Sequence, residues 1–422
     1  AVADTVFSLH TNKKNVSAKI KSLPPKWQKH PVVMNARFEW RIRNNLRDSA
    51  LQVLENYSTS ATHLSQPSKW ALRREALARD LMFDEEYARA YEISSKHYLE
   101  TGDTYAVLEW LSGYLALEKL KNTELALKHF KNFLLSVDAP ISLGRGFYWL
   151  GRTYEQQGKM DTAKQIYQIG ADRWETYYGL LAAEKVGLTA DKTVLNTPNV
   201  SSWKEASFLT SSVFKAAKLL FSANQEVLAE RFLTHLTETL SDHDVLRLVN
   251  FLEESKKPHE LVMVAKRAAS QSRVFPRPYF AIHPLVEMPQ RIPPEMALAI
   301  ARRESEFYPK VESPVGALGM MQVMPKTARE VAKRLGLRYS SERMLSDWHY
   351  NARIGIAYLE ELSERYEGNP ILIAAAYNAG PSRADRWIEL LGDPRNPKVD
   401  LINWVESIPV SYTHLTLPTS GG

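Results

Sequence analysis

Trp149-Leu150-Gly151-Arg152-Thr153-Tyr154, followed by Gly158 and Ala163, is the stretch that decides the fold of this 422-residue chain. Bulky aromatic, small residue and break follow one another at helical spacing, as in two short helices that pack closely because glycine and alanine leave room between them. Working outward, residues 28 to 188 keep apolar positions three and four apart, hold few prolines and break briefly at Gly102 and Gly158. Ala50, Ala88, Ala126 and Ala163 recur every 37 or 38 residues, downstream of Trp40, Trp70, Trp110 and Trp149. A degenerate helix-pair solenoid is therefore expected over residues 1–200. Its aromatics read as packing between repeats. Repetition without polar clusters predicts that residues 1 to about 270 form a helical platform that carries no chemistry.

Between residues 187 and 203 the pattern lapses into Thr, Asn, Pro and Ser, and a second helical block then runs to about Ala269. Six prolines (Pro276, Pro278, Pro284, Pro289, Pro293, Pro294) follow, too many for any helix interior. The expected organisation is a solenoid domain at 1–200, a small helical linker domain at 201–275 and a third domain at 276–410. Nothing alternates with period two for long, so the fold class is mainly all-α, with any sheet small and local.

Composition narrows the function classes. Hydrophobic content of 44% with 24% charged residues is ordinary for a globular chain and excludes wholesale disorder. No apolar run approaches the length of a membrane span. The absence of cysteine removes disulfides and thiolate metal sites. A net charge of +6 suits an anionic polymer, but the basic residues alternate with acidic ones along the helices, as on solvated faces, and no nucleic-acid partner is expected. There is no H-E-x-x-H, Walker or dinucleotide-binding pattern, so neither metal nor cofactor is expected.

Three segments carry candidate chemistry. In Pro293-Pro294-Glu295-Met296-Ala297-Leu298-Ala299-Ile300-Ala301-Arg302-Arg303-Glu304-Ser305, a leading proline and an apolar body describe a buried helix with Glu304 at its C-terminal end. Helix dipole and apolar surroundings both disfavour the ionised form there, which suits a general acid, although a glutamate at a helix end is more often a solvated surface residue. Nine residues later comes Ser313-Pro314-Val315-Gly316-Ala317-Leu318-Gly319-Met320-Met321-Gln322-Val323-Met324-Pro325. It reads as a tight loop in which Gln322 offers donors and acceptors to sugar hydroxyl and acetamido groups, or equally as a glycine-rich connection with methionines filling a core. Ile371-Leu372-Ile373-Ala374-Ala375-Ala376-Tyr377-Asn378-Ala379-Gly380-Pro381 is an apolar helix stopped by Gly and Pro, with Tyr377 and Asn378 at its exit. Glu306 and Glu312 are the candidates for a second carboxylate, and both read as surface charges.

Taken together, the Glu304-Ser305 pair, the S-x-x-G-A-x-G-[LM]-M-Q-x-M-P loop and the A-Y-N-A-G segment resemble the soluble lytic transglycosylases of the lysozyme superfamily. Asp347, Asn351, Gly355, Tyr358 and Leu359 follow that family's intervening helix, which reads as structural, with Trp348 and Ala352 as departures. The resemblance implies an N-terminal α-superhelix, a linker domain and a lysozyme-like C-terminal domain. It implies cleavage of the β-1,4 bond between N-acetylmuramic acid and N-acetylglucosamine in peptidoglycan strands, with Glu304 as sole acid and base and a 1,6-anhydromuramoyl end as product. By the same resemblance Ser313, Gln322, Met324, Tyr377 and Asn378 bind the substrate, no cofactor or metal is used, and the location is periplasmic. A hydrolytic muramidase of the same fold and a non-catalytic wall-binding scaffold are the alternatives.

The resemblance stops after Trp404-Val405-Glu406-Ser407-Ile408-Pro409. Where the family continues S-E-T-R-x-Y-V, this chain has Tyr412 for the Glu, His414 for the Arg and Thr416 for the Tyr, and it ends in helix breakers. Residues 411–422 are expected to be a non-native tail.

Overall fold

The computed structural model describes residues 1–189 and 200–408, so the tail at 411–422 lies outside the described residues. The all-α expectation holds: the described regular elements are helices, and extended pairing is confined to the isolated bridges Glu312–Leu318 and Leu318–Val323. Among the described residues no helix is long and apolar enough to cross a membrane. Two compact units divide the chain, residues 1–189 and 190–422.

In the first unit the sequence rules act locally. Pro31 and Pro140 open their helices, where a missing N–H costs nothing, and Asn122 and Thr176 cap theirs by accepting from Leu125 N–H and Gly179 N–H, each at 3.0 Å. Paired helices approach through glycine: a Cβ on Gly113 would sit 2.7 Å from the Phe130 ring, and one on Gly151 would sit 2.5 Å from the Tyr167 ring. Trp70, Trp110 and Trp149 are buried as packing residues, while Trp40 is half-buried against the cluster of Leu9, Val16 and Val33. The Trp149 ring meets Trp110 at 6.1 Å, Tyr114 at 5.1 Å and Phe130 at 6.3 Å, so neighbouring helix pairs share one aromatic core.

Two readings of this region need correction. Ala50, Ala126 and Ala163 are buried, but Ala88 faces solvent and Ala90 takes the packing position. The repeats are unequal in length, so a constant period slips by two residues there. A polar cluster also exists. Glu109, on helix Asp103–Tyr114, accepts hydrogen bonds from His97 Nε2 at 3.0 Å, His129 Nδ1 at 2.8 Å and Asn132 Nδ2 at 3.2 Å. Leu99 N–H donates to His97 Nδ1, which fixes the tautomer that points a proton at the carboxylate. Burial works against the charge of Glu109, yet the bonds from His129 and His97 outweigh it and hold the carboxyl at about 2. The partners lie on different segments, so no helical periodicity reveals them.

In the second unit, helices Ser212–Ser222, Glu226–Thr237, Asp242–Glu254 and Pro258–Ser270 pack around Phe214, Leu233, Val249 and Val262. The proline stretch follows as two short turns, Pro276–Tyr279 and Pro284–Glu287, and leads into the helix Pro294–Ser305. Beyond an irregular loop come Pro325–Arg334, Ser341–Ser346, Trp348–Arg365, Pro370–Ala379, Pro381–Leu391 and Leu401–Ser407.

Candidate active site

Pro294 sits at the first position of the helix Pro294–Ser305, and Ala297 and Ala301 are its buried face. Glu304, in its last turn, is buried as well. The helix stops where Glu306 and Phe307 take left-handed backbone angles, φ 48° and 67°. Ser305 then ties the helix end to the facing loop by donating to Met320 O at 2.6 Å.

That loop is built around close approaches. At Gly319 (φ 72°) a Cβ would lie 2.1 Å from Met344 O and 2.3 Å from Asn351 Nδ2, so no side chain fits. Fully buried Asn351, on helix Trp348–Arg365, accepts from Met321 N–H at 2.9 Å and donates to Leu318 O at 2.9 Å and Met344 O at 3.1 Å. The loop backbone, which no sheet satisfies, is satisfied by this amide. Gln322 (φ 48°) spends both amide hydrogens on the chain, donating to Gly319 O at 2.8 Å and Val311 O at 3.1 Å. Its carbonyl oxygen is the atom left for a ligand. Tyr377, on helix Pro370–Ala379, donates its hydroxyl to Met321 O at 2.7 Å.

Glu304, Gln322, Met324, Tyr377 and Asn378 together line one cavity of about 250 Å³. The sequence-predicted residues thus converge from three segments, with one departure. Ser313 does not line this cavity; its hydroxyl accepts the Ala317 N–H at 2.9 Å and closes the loop on itself. Thr327, Tyr358 and Arg383 line the cavity without having been singled out as site residues. Thr327 lies three residues past Met324 on the next helix, and Arg383 lies six past Tyr377, so proximity along the chain was the signal available for both.

The electrostatics follow from isolation. The Glu304 carboxyl takes part in no hydrogen bond or ion pair among the described residues, and burial pushes it up from 4.5 to about 7, with Arg303 opposing weakly. Burial raises the Tyr377 hydroxyl well above its ordinary value, and the Glu304 charge adds to that, so it stays a neutral donor. Glu304 is the only carboxylate lining the cavity among the described residues. Glu306 points away to Lys266 Nζ at 2.6 Å, and Glu312 is exposed on the loop. No group of three or more His, Cys, Asp or Glu among the described residues is arranged to hold a metal ion. Such a site can donate one proton from a neutral acid near pH 7 and recover one as the carboxylate.

Residues 287–398 match the family described as the Transglycosylase SLT domain. The chain is 30% identical over 272 residues to the soluble lytic murein transglycosylase of Escherichia coli K12, a match covering 63% of this chain and 41% of that protein. The soluble lytic murein transglycosylase of Salmonella typhimurium is 43% identical over 118 residues, which cover 28% of this chain and 18% of the relative. The matched stretches thus span less than half the length of these relatives. Among solved structures, an inactive mutant of the lytic transglycosylase Slt of Pseudomonas aeruginosa aligns with TM-score 0.69 and 20% identity, over 99% of this chain and 66% of the other. The 70-kDa soluble lytic transglycosylase in complex with bulgecin A aligns with TM-score 0.56 and 22% identity, over 98% and 70% of the two chains. At these identities the structural likeness speaks for the fold.

Proposed function

Since residues 287–398 match the transglycosylase SLT domain, we propose that this chain is a lytic transglycosylase that cuts peptidoglycan strands with Glu304 as its one acid and base. The observation that carries the proposal is the solitary, buried Glu304, raised to about 7 in a cavity lined by no second carboxylate among the described residues. Two-carboxylate glycosidases need a partner across the scissile bond for nucleophile or water activation. In the proposed reaction the substrate supplies those groups itself.

The neutral Glu304 gives its proton to the glycosidic oxygen between N-acetylmuramic acid and N-acetylglucosamine as the bond from C1 breaks. The substrate's N-acetyl group meets the positive charge left at C1. The C6 hydroxyl of the same muramic residue then bonds to C1 and returns its proton to Glu304. The product is a 1,6-anhydromuramoyl end, and no water is consumed. Gln322 through its carbonyl oxygen, Met324, Tyr377 and Asn378 hold the sugars along the cavity, while Ser313 contributes by shaping the loop. Residues 1–200 and 201–275 act as solenoid and linker domains and 276–410 as the catalytic domain, and a peptidoglycan substrate fits a periplasmic location.

Mass spectrometry of muropeptides released from purified sacculi tests substrate and reaction together. Anhydro ends, one water lighter than hydrolytic ends, are expected. Reducing muramic ends instead would convert the reading to a muramidase, and sacculi left intact would leave a wall-binding scaffold.

A further inference from the structure

The turn after Glu304 holds the only two consecutive non-glycine residues with left-handed angles among the described residues, Glu306 and Phe307 at φ 48° and 67°. Left-handed angles are uncommon for either and a true outlier for a bulky aromatic, so the conformation persists only where the surroundings over-determine it. Burial of the Phe307 ring, which stacks on His283 with centroids 5.2 Å apart, supplies one side of the constraint.

The other side comes from helices outside the matched SLT residues. On helix Pro258–Ser270, Lys266 Nζ lies 2.6 Å from Glu306 Oε1, and His259 Nδ1 donates to Glu306 O at 2.9 Å. The His259 ring packs on Tyr308 at 4.9 Å. Two residues on, Lys310 Nζ meets Glu226 Oε2 at 2.7 Å, and Lys257 occupies the other oxygen of that carboxylate at 3.0 Å. Next to Lys310, Val311 O receives Gln322 Nε2 at 3.1 Å and Gly319 N–H at 2.8 Å. The strip that joins Glu304 to the floor under Gln322 is therefore tied at Glu306, Tyr308 and Lys310 to the helical block that precedes the domain.

We propose that Lys266 and His259 are positioning residues for the Glu304 reaction, clamping the left-handed turn so that the carboxyl stays aimed into its cavity and shielded from water. The inference rests on the reading of Glu304 as the acid. The Lys266–Glu306 pair is partly exposed, so it adds little to global stability. Their effect is to select one conformation of the turn, and small displacements of a reacting group are costly to rate.

The test uses the full chain with Lys266→Met and His259→Ala, each beside wild type and Lys266→Arg. Turnover is expected to fall roughly 10-fold or more in both with KM little changed, the signature of lost orientation rather than lost binding. The pH limb assigned to Glu304 is expected to move down as water reaches the carboxyl, and Lys266→Arg should restore rate and limb together. The carboxyl titration itself, followed by infrared difference against Glu304→Gln, should show the same downward shift without any substrate. Folded Met and Ala variants with wild-type turnover and an unmoved carboxyl would overturn the proposal, as would an Arg variant no better than Met. An inactive wild type would instead count against the proposed reaction, and the infrared titration would still decide the clamp.

Discussion

Glu109 and Glu304 are the same side chain at nearly the same depth, 5% and 7% exposed, yet one carboxyl sits at about 2 and the other at about 7. Burial raises both. In the solenoid, two histidines and an amide surround Glu109 with donors, and its charge is stabilised where it lies. At the end of helix Pro294–Ser305, three neighbouring donors are committed elsewhere: Ser305 to Met320 O, Gln322 to Gly319 O and Val311 O, Tyr377 to Met321 O. A polar shell that leaves the carboxylate without donors separates the proposed acid from a structural ion pair. The neighbours' own hydrogen-bond needs enforce that neglect.

The strongest way to break the comparison is Glu304→Gln. Volume and polarity survive while the transferable proton is lost, so turnover should fall by about 100-fold or more with glycan binding retained. The same variant carries a stability signature. A carboxyl raised from 4.5 to about 7 binds more protons folded than unfolded between those values, so its stabilising contribution is complete below 4.5 and lost as pH rises through 7. The loss amounts to about 3 kcal/mol at 1.36 kcal/mol per unit. Glu304→Gln should therefore melt higher than wild type at pH 8 and no higher at pH 4. Equal melting at pH 8, or retained turnover, would mean that the carboxyl is solvated and not the acid.

Glu109→Gln should do the reverse. With its folded value depressed to about 2, Glu109 adds stability that is complete above 4.5 and lost as pH falls through 2. Its amide replacement should cost on the order of 3 kcal/mol at pH 7 and nothing at pH 2, with turnover on short glycans unchanged. Thermal melts across pH check the first statement, and a kinetic assay checks the second. A loss of turnover at constant fold would show that the solenoid takes part in the reaction.

These two glutamates also show what a linear reading reaches. Glu304 was legible as the end of a buried helix, and Tyr377 and Asn378 as a helix exit, whereas the binding roles given to Gln322, Met324, Tyr377 and Asn378 came with the resemblance; one cavity gathers all five. The Glu109 cluster was not, since His97 and His129 stand 12 and 20 residues away and a glutamate on a helix reads as solvated. The Lys266–Glu306 pair is separated by 40 residues and a proline stretch across which no periodicity carries. Ser313 was placed in the cleft by analogy; its hydroxyl is turned to Ala317 N–H because a loop without sheet partners must satisfy itself. The all-α class came from periodicity, which survives a two-residue slip such as Ala88 for Ala90.

Tyr377→Phe sharpens the claim that Glu304 stands alone. The hydroxyl donates to Met321 O and not to the carboxyl, so its removal leaves a loop carbonyl without a donor, costing about 1 to 2 kcal/mol. The pH limb belonging to Glu304 should stay near 7 while rate falls through the loosened loop. A limb that rose would reveal a hydroxyl donated to Glu304 in the resting enzyme.

The smallest effect is expected at Ser313. Its hydroxyl accepts one backbone N–H at 2.9 Å and does not line the cavity, so Ser313→Ala should remove one ordinary hydrogen bond. The cost should be about 1 kcal/mol of stability, because Ala317 N–H is left in a short turn also closed by Ser313 N–H to Ala317 O at 2.9 Å. Turnover should change less than in Tyr377→Phe, and KM for glycan strands should not move, since a side chain spent on its own loop contributes nothing to uniform binding. Steady-state kinetics on soluble strands, paired with a melting curve, distinguish the two roles. A KM raised several-fold at unchanged stability would put the hydroxyl on the sugar, and the loop would then have to open at Ala317 when substrate enters.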